Sequence, residues 1–324
     1  MDAATVVLVL DTLRSARIDA WLDGGWAIDA MVGYQTRPHL DLDLVISRDD
    51  LPRVRSIVTG LGLTSVTNLE TASADVDLHP VTFDEHGDGW QEQAEGPPWP
   101  YPASGFSGRG VVAGRDVHCL TAVTQVLCHH GYEPDDGDLT DLRALAGSTG
   151  VSLAPPYGEP GRDVVVRPAR PTDLGAMTLV WADSSRTAYR PIFPTSAPPP
   201  SLAALLRVWE RSVEHAGCQA FVAATGDQVI GTVLVERHED GTGEFGRLYV
   251  HPSRWDGGIG RALYDLALES LRALHVGDVR LWVLVGNRRA REWYEHEGWT
   301  ETGERREVVP GVEELRYSFG LGGA

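Results

Sequence analysis

The stretch that decides the fold of the first half is residues 21–47, WLDGGWAIDAMVGYQTRPHLDLDLVIS. It opens like a strand, turns at the Gly24-Gly25 pair, continues with the apolar spacing of a helix as far as Val32, and ends in a second strand. Backbone N–H groups at the start of a helix favour anions. The Gly24-Gly25 turn is therefore expected to hold the phosphate groups of a nucleotide.

Two carboxylates occur in the second strand of this stretch. Asp41 and Asp43 are two residues apart, so in a strand both side chains point to the same face. The opposite face, which we expect to pack in the core, carries Leu40, Leu42 and Leu44. Neighbouring carboxylates are suitable ligands for Mg²⁺. The alternative is a half-exposed strand with an acidic face, and the double glycine upstream favours the metal site over it.

A third carboxylate is expected near this pair, because nucleotidyl transfer with two metals needs one more acid that contacts a metal and helps to remove a proton from the attacking hydroxyl. The predicted strand VDLHP, residues 76–80, supplies Asp77. Asp75 lies on the same predicted face and is the competing choice, and solvent exposure of both is the third reading. We favour Asp77. Arg37 and His39 stay outside the predicted site, because a loop arginine or histidine more often faces solvent.

Charge and cysteine content restrict the partners and the compartment. All 28 basic residues are arginine, which excludes lysine chemistry. Residues 1–161 contain 24 acidic residues against 9 arginines, and residues 162–324 contain 22 against 19. An acidic first half repels nucleic acid and favours a cationic small molecule. The three cysteines are widely spaced, and no membrane or secretory segment is predicted, so we expect a cytoplasmic protein.

Composition also divides the chain. Residues 148–161, STGVSLAPPYGEPG, have the proline, glycine and serine content of a linker, so we place a first domain at 1–150 and a second at 162–324. The first domain is predicted to be a mixed α/β unit that ends in two short helices. Its other predicted elements are helices at 5–18 and 49–62, strands at 63–70 and 74–83, and a hairpin that turns at Ala113-Gly114.

The most informative stretch of the second half is GRLYVHPSRWDGGIGRALYDLALESLRAL, residues 246–274. Apolar residues recur every three or four positions after the glycines, which predicts a strand ending at Val250 and then a long helix. Gly257, Gly258 and Gly260 leave backbone amides open at the helix N-terminus, where a pyrophosphate can bind. Such a turn alone also fits a plain strand–helix connection or a dinucleotide fold. The strand, short helix and terminal pair of strands that follow argue against a dinucleotide fold.

The motifs of the first half resemble those of the small aminoglycoside and lincosamide nucleotidyltransferases, in the DNA polymerase beta-type superfamily. LDGGWAIDAMVGYQTRPHLDLDLVI, VDLHPV and GYEPDDGDLTDLRAL are the segments that resemble them, across most of residues 15–147. The resemblance implies a nucleotidyltransferase fold with a small mixed sheet and closing helices, ATP or GTP as the donor, and two Mg²⁺ ions. The implied site consists of Gly24 and Gly25 for phosphate, Asp41, Asp43 and Asp77 for metal, and Asp77 as the catalytic carboxylate that helps to take the proton of the attacking hydroxyl.

The order of elements over residues 163–319 resembles the GNAT acetyltransferase superfamily, whose fold has a central mixed, mostly antiparallel sheet flanked by helices. The resemblance includes the run Asn287, Ala290, Trp293-Tyr294 and Gly298-Trp299. It implies acetyl-CoA as cofactor and Tyr294 as the acid that protonates the leaving thiolate. The residues implied to bind acetyl-CoA are Val250, Arg254, Gly257, Gly258, Ile259, Gly260, Arg261 and Asn287.

Two further points concern the acetyltransferase site. Trp255, Asp256 and Gly257 stand where many members of the superfamily have glutamine or basic residues, so the predicted cofactor contact depends mainly on the backbone amides. An acceptor amine arrives protonated and must lose its proton. Glu244, at the start of the strand that leads to the turn, is the predicted base, although this position also suits a surface charge.

We therefore predict a cytoplasmic, two-domain transferase of the α/β (α+β) class that modifies antibiotics by nucleotidyl and acetyl transfer. The expected partners are a cationic drug, a nucleoside triphosphate and acetyl-CoA, without nucleic acid or membrane, and a homodimer is left open. In one alternative only the acetyltransferase is active and the first domain is a binding module. In another, the chain modifies tRNA or a protein in a toxin-like or regulatory role, which the acidic first half disfavours.

Overall fold

The computed structural model describes residues 1–67, 74–161 and 163–322. The chain divides into two compact units. The first comprises Met1–Leu153 and Ser201–Leu206, and the second comprises Ala154–Pro200 and Arg207–Ala324. Both units mix helices with sheets, which confirms the predicted α/β (α+β) class.

The first unit contains a mixed sheet covered by helices. Its helices are α1 (Ala3–Ser15), α2 (Gly24–Val32), α3 (Leu51–Gly60), α4 (Ala122–Cys128) and α5 (Asp136–Thr149). Its strands are β1 (Ala20–Leu22), β2 (Leu42–Ser47), β3 (Ser65–Thr67), β4 (Val76–Phe83), β5 (Gly89–Gln91), β6 (Trp99–Tyr101), β7 (Arg109–Val112) and β8 (Arg115–His118).

The sheet order places β2 and β4 side by side. The strands run β1-β2-β4-β5-β6, with β3 also paired to β4 and with β7 and β8 forming a separate hairpin. β2 and β4 are parallel, and the alternate residues Leu42, Leu44 and Leu78 are fully buried beneath α1, α2 and α3. The opposite face of these two strands carries a small buried cluster that includes Val45 and Val81, and polar side chains occupy this face toward the end where the strands begin.

Most of the predicted elements of this unit are confirmed. The hairpin turns at Ala113 and Gly114, both with positive φ, as a two-residue turn with a right-handed twist requires. Leu40 was wrongly predicted to be in the core. It is 88% exposed, because β2 begins only at Leu42 and the alternation of a strand does not extend back to residue 40. The predicted strand at 63–70 corresponds to β3, and its residues 68–70 lie outside the described residues.

The second unit is built on a seven-stranded sheet. Its helices are α6 (Leu174–Tyr189), α7 (Leu202–Glu214, whose first turns are grouped with the first unit), α8 (Ile259–Ala273) and α9 (Arg288–His296). Its strands are β9 (Val165–Pro168), β10 (Cys218–Thr225), β11 (Gln228–Arg237), β12 (Gly243–Val250), β13 (Asp278–Leu284), β14 (Thr300–Val309) and β15 (Val312–Gly320).

In this sheet the order is β14-β15-β13-β12-β11-β10-β9. Only β12 and β13 are parallel among its described pairs, which confirms a mixed, mostly antiparallel sheet. The ladder between β12 and β13 is short and joins Gly243 to Val279 and Glu244 to Arg280. Over residues 245–250 of the described chain, β12 pairs with β11 but not with β13. The two strands therefore separate toward the end of β12, next to the start of α8.

The predicted linker at 148–161 includes the end of α5, which continues to Thr149, and an irregular segment after Gly150. Several of its side chains are buried, including Leu153 and Tyr157, and the Tyr157 carbonyl accepts a 2.6 Å hydrogen bond from Gln228 Nε2. The segment is thus more ordered than its composition indicates. No helix in the described ranges combines the length and apolar character needed to cross a membrane.

One buried ion pair is expected to dominate the stability of the second unit. Asp173 is fully buried and accepts hydrogen bonds from both terminal nitrogens of Arg167, at 2.7 and 2.9 Å, and from Arg170 N. Asp173→Asn should lower the free energy of unfolding by about 3–5 kcal/mol, because it leaves a desolvated guanidinium unpaired. Urea denaturation measures this.

The control for this substitution is Asp278→Asn. Asp278 is 45% exposed and pairs with Arg280, which is 36% exposed. An exposed ion pair contributes about 0–1 kcal/mol. Equal urea midpoints for the two variants would contradict the expected difference.

Candidate active sites

The first site lies where β2 and β4 run side by side. Asp43 and Asp77 are direct partners in the parallel register, so their side chains stand together on the polar face of the sheet. His79 follows Asp77 on the same face, and its Nε2 lies 3.5 Å from Asp43 Oδ1. One ligand atom from each of Asp43, Asp77 and His79 lies within 4.8 Å of the others. This spacing is suited to a divalent cation.

The electrostatics of this cluster favour a positive ion. Burial raises the pKa of Asp77, His79 opposes the rise, and Asp43, Asp41 and Asp23 add to it. Burial disfavours the charged form of His79, but the neighbouring carboxylates outweigh it and raise its pKa to about 9. Asp77 Oδ1 and His79 Nε2 are buried and have no hydrogen-bond partner among the described residues. The Asp77 oxygen is therefore open to a metal ion, whereas the protonated His79 ring faces the Asp43 carboxylate.

Asp41 lies one residue before β2 begins, in the bend that leads into the strand. Burial and the charge of Asp43 raise its pKa, so the two carboxylates interact. Its oxygens are not part of the group formed by Asp43, Asp77 and His79. The structure therefore brings two of the three predicted carboxylates together and leaves Asp41 at the margin of the site.

Asp75, the competing choice for the third carboxylate, has a different role. Its Oδ2 accepts hydrogen bonds from Thr64 N at 2.8 Å and from Thr64 Oγ1 at 2.7 Å, and these bonds lower its pKa. Asp75 thus ties the entry of β4 to the segment before β3. The placement supports the preference for Asp77, whose carboxylate is directed at Asp43.

The glycine pair lies against this cluster. Gly24 begins α2 with φ +57°, and a Cβ there would lie 2.5 Å from Asp43 Oδ2. Its N–H already donates to the N-cap side chain of Asp23, at 2.8 Å, so this amide is not free for phosphate. A Cβ on Gly25 would overlap the His39 ring. The glycines are therefore needed first for close packing, and phosphate binding by them stays a prediction.

The loop that leads to Asp41 is fixed from behind by a buried polar network. His39 is 4% exposed, and its Nε2 lies 2.6 Å from Asp29 Oδ2. Asp29 also accepts from Thr36 N and Oγ1, and Asp141 pairs with Arg37 at 2.8 Å. The expectation that Arg37 and His39 face solvent was wrong for His39, because Asp29 on α2 supplies a buried partner.

The glycine at the start of α2 gives a testable prediction. Gly24→Ala should reduce the rate of nucleotidyl transfer by about 10²-fold, because the new methyl group displaces the Asp43 carboxylate. A displacement of about 1 Å in a reacting group can lower a rate by about this factor. Gly62→Ala is the control: Gly62 also has positive φ, but its Cβ would meet no atom within 4 Å. Both variants should lose stability from the positive φ, and Gly24→Ala should lose more because of the clash, so the rates are compared at a temperature at which thermal unfolding shows both to be folded. Equal transfer rates there would contradict the role given to Gly24.

The second site surrounds the glycine-rich turn between β12 and α8. Asp256 and Gly258 have positive φ, and α8 begins at Ile259 with Gly258 as its N-cap. A Cβ on Gly258 would meet no atom within 4 Å, so the space in front of the helix is open. Gly257 and Gly260 are similarly uncrowded. The N-terminus of a 15-residue helix is thus accessible, as the predicted pyrophosphate contact requires.

Side chains explain the unusual Trp255-Asp256 pair. Trp255 Nε1 donates to the Val250 carbonyl at 2.7 Å. Arg289 pairs with Asp256 at 2.7 Å, and its guanidinium lies 5.1 Å from the centre of the Trp255 ring. These contacts fix the turn to the end of β12 and to α9. They give Trp255 and Asp256 a structural role, although both residues depart from the motif that is usual in the GNAT superfamily.

The two arginines predicted to flank the cofactor differ in availability. Arg261 is engaged by Asp265 at 3.1 Å and by Glu297 at 2.5 Å, so its charge is largely satisfied within the protein. Arg254, at the end of a short 3-10 turn, has no ion-pair partner in the described part of the chain. Arg254 is therefore the better placed of the two to meet a phosphate.

Tyr294 lies on α9 beside the opening between β12 and β13. Its ring packs against Phe245 and Trp299, with centroid distances of 6.2 and 5.8 Å. Its hydroxyl makes no hydrogen bond within the described residues, and burial raises its pKa, so the hydroxyl keeps its proton at neutral pH. Asn287 caps α9 by accepting from Ala290 N at 3.3 Å, which gives it a structural role beside the predicted one.

Glu244 lies where β12 and β13 are still paired, opposite Arg280. Its neighbour Phe245 faces the α8 side of the sheet, so the Glu244 side chain points to the other face. Burial raises its pKa, which suits a base that must take up a proton, while Arg316 and His238 oppose that shift. The structure thus places Glu244 in an environment that alters its proton affinity, on the α6 side of the sheet.

Sequence reasoning missed two residues of the first site. His79 was not proposed, although its position two residues after Asp77 in a strand puts it on the same face. Asp23 is 6% exposed and accepts from Gln125 Nε2 at 2.9 Å and from Tyr101 Oη at 3.3 Å. The position of Asp23 directly before a helix predicts that it caps the helix. Nothing in the sequence indicates its contacts with Gln125 and Tyr101, which are distant along the chain.

Comparison with known proteins gives two separate matches. Residues 5–145 match the family described as Aminoglycoside-2''-adenylyltransferase, and residues 182–299 match the Acetyltransferase (GNAT) family. A lincosamide resistance protein of Staphylococcus haemolyticus is 25% identical over 149 residues, which cover 44% of this chain and 92% of that protein. A 2''-aminoglycoside nucleotidyltransferase of Escherichia coli is 33% identical over 128 residues, which cover 37% of this chain and 69% of that protein.

A third relative is similar over a short segment. The mycothiol acetyltransferase of Beutenbergia cavernae is 51% identical over 59 residues, which cover 18% of this chain and 20% of that protein. The chain spans only a fifth of the length of this relative.

Proposed function

We propose that this chain, which belongs to the aminoglycoside nucleotidyltransferase family in its first domain and to the GNAT acetyltransferase family in its second, modifies an antibiotic with two different groups. The first site transfers a nucleotidyl group from ATP or GTP to a drug hydroxyl. The second transfers an acetyl group from acetyl-CoA to an amine. The observation that supports the proposal best is the pairing of Asp43 with Asp77 across parallel strands, beside the start of α2.

The donor set of the first site suits Mg²⁺. Carboxylate oxygens are the ligands this ion prefers, and Asp77 offers a buried oxygen that lacks a partner in the described chain. Asp43 and Asp77 would hold the metal, with Asp41 reaching it from the bend before β2. When bound, Mg²⁺ stabilises negative charge on the phosphate oxygens. His79, protonated at neutral pH, keeps the Asp43 carboxylate in place.

The residues of the first site then have distinct tasks. Asp77 accepts the proton of the drug hydroxyl while the hydroxyl oxygen attacks the α-phosphorus. The raised pKa of Asp77 favours this proton uptake. A new phosphorus–oxygen bond forms, the bond to the bridging oxygen breaks, and pyrophosphate leaves. The Asp29–His39 contact and the Arg37–Asp141 pair hold the loop before β2, so the carboxylates are positioned before substrate arrives.

In the second site, the open start of α8 and Arg254 bind the cofactor phosphates, beside the gap between β12 and β13. The acceptor amine loses a proton to Glu244, directly or through water, and attacks the acetyl carbonyl carbon. A carbon–nitrogen bond forms, the carbon–sulfur bond breaks, and the new amide nitrogen loses its second proton to solvent. Tyr294, whose hydroxyl retains its proton, protonates the departing thiolate.

The substrate we propose is a cationic aminoglycoside, with a lincosamide as the other drug class. An aminoglycoside offers both hydroxyls and amines, and the net charge of residues 1–161, 24 acidic groups against 9 arginines, attracts a polycation. The names of the two nucleotidyltransferase relatives refer to these drug classes. Three free cysteines accord with a cytoplasmic location.

The proposal is tested by incubating the purified full-length chain with a panel of aminoglycosides and lincosamides. Each drug is mixed with Mg²⁺ and ATP, Mg²⁺ and GTP, or acetyl-CoA, and analysed by mass spectrometry. A nucleotidyl increment with a triphosphate and an acetyl increment with acetyl-CoA support the two activities separately. Absence of either increment across the panel would overturn the corresponding activity. A titration with RNA at several salt concentrations checks the alternative macromolecular substrate.

A further inference from the structure

A second group of metal-ligating side chains lies in the acetyltransferase domain, apart from the carboxylates of the first domain. His215 follows the end of α7, Cys218 begins β10, and Glu236 lies near the end of β11. One ligand atom from each lies within 4.8 Å of the others. A nitrogen, a sulfur and an oxygen ligand form the mixed set that zinc takes in proteins.

The backbone holds these three residues together. Cys218 and Glu236 are direct partners in the antiparallel pairing of β10 and β11. Cys218 N donates to the His215 carbonyl at 2.9 Å, and Arg237 N donates to the Gly217 carbonyl at 2.9 Å. The turn that carries His215 is thus bound to the strand that carries Glu236. These bonds fix the three positions before any ion is present.

The glycine of this turn allows the close approach. A Cβ on Gly217 would lie 2.9 Å from the Arg237 carbonyl oxygen and 3.1 Å from His215 Cε1. Gly217 N donates to His215 Nδ1 at 3.2 Å, and this bond is replaced when the imidazole binds an ion. The His-x-Gly-Cys spacing therefore places an imidazole and a thiol on one side of a tight turn that any larger residue at 217 would open.

Charge around the group favours a cation. His238 contacts Glu236 at 3.8 Å through Nδ1 and Glu244 at 3.9 Å through Nε2, so a second carboxylate lies nearby. The positive charge of Arg247 disfavours a bound cation. Glu236, Glu244 and the thiolate that forms when Cys218 binds a metal carry three negative charges, which exceed it.

We propose that His215, Cys218 and Glu236 bind one Zn²⁺ ion, with the fourth position left for water or another small ligand. Zinc bonds of about 2.0–2.3 Å place tetrahedral ligand atoms about 3.3–3.8 Å apart, so a side-chain shift of about 1 Å completes the site. The ion joins the end of α7 to β10 and β11. The alternative is a hydrogen bond from the Cys218 thiol to Glu236 without a metal.

The test uses the full-length, tag-free protein after removal of metals by a chelator. Titration with Co²⁺ should produce a near-ultraviolet thiolate-to-cobalt absorption band that saturates at one equivalent, and Zn²⁺ should abolish it. The carboxylates and His79 of the first domain give no such band, because they lack sulfur. Absence of the band in the folded wild-type protein would overturn the proposal.

Variants locate the ion. Cys218→Ser should remove the band, whereas Cys128→Ser, which changes a partly buried thiol of the first domain, should retain it. His215→Ala and Glu236→Gln should weaken Co²⁺ binding by more than about 100-fold, beyond the roughly 10–100-fold loss that is usual for a residue that only orients a ligand. His215 is exposed, so its variant is expected to fold even if the Cys218 variant does not. Unchanged affinity in folded His215→Ala would contradict the site.

Discussion

Replacing Asp77 with asparagine is expected to lower the rate of nucleotidyl transfer by about 10²–10⁴-fold, the contribution typical of a general base. The amide has nearly the same shape but neither accepts the proton of the attacking hydroxyl nor matches a carboxylate as a ligand of Mg²⁺. Asp77 is the register partner of Asp43, so the substitution acts at the centre of the carboxylate cluster. Product formation by mass spectrometry under single-turnover conditions measures the effect.

The matched control is Asp75→Asn, two residues earlier on the same chain segment. Asp75 is occupied by Thr64 and does not join the group formed by Asp43, Asp77 and His79. Its replacement should leave the transfer rate within about threefold of wild type, since hydrogen bonds at this exposed position mainly support the start of β4. A larger loss with Asp75→Asn than with Asp77→Asn would reverse the assignment of the third carboxylate.

Tyr294→Phe should slow acetyl transfer by about 10²–10⁴-fold and leave nucleotidyl transfer unchanged. The substitution removes only the hydroxyl, whose proton we assign to the departing thiolate, and it keeps the ring that packs against Phe245 and Trp299. Binding of acetyl-CoA should be little altered, so the loss should appear in kcat rather than in KM. Steady-state detection of the free thiol of CoA measures both constants.

Tyr317→Phe serves as the control for this experiment. The Tyr317 hydroxyl donates to Glu295 at 2.7 Å and accepts from Arg291 at 3.2 Å, so it is already engaged within the fold. Its loss should affect stability more than the rate of acetyl transfer. If Tyr294→Phe kept full kcat, the general-acid role would have to pass to water or to another group.

Much of the fold followed from local patterns. Alternation in β2 and β4, the helical spacing of α8 and the turn at Ala113-Gly114 depend on neighbours in the sequence, and all were predictable. Both family resemblances inferred from the motifs are confirmed by the matches to residues 5–145 and 182–299. The exposure of Leu40 was predicted wrongly, because the residue at which a strand begins depends on its partner strand rather than on alternation alone.

The candidate sites were less predictable where partners are distant in sequence. His39 is buried because Asp29 faces it, and Arg261 is engaged because Glu297 approaches from a different helix end. No periodic pattern carries such information. The preference for Asp77 over Asp75 agrees with their surroundings in the structure, but that difference arises from Thr64, which precedes β3 and carries no motif.

We propose that one chain contains two transferase sites that act independently. The most direct measurement is a single reaction that contains Mg²⁺, the nucleoside triphosphate, acetyl-CoA and one drug that the panel experiment has shown to be a substrate. The masses of the drug products are then measured by mass spectrometry. Wild-type protein should add both groups, Asp77→Asn should add only the acetyl group, and Tyr294→Phe should add mainly the nucleotidyl group. Loss of both additions from either folded variant would contradict the account.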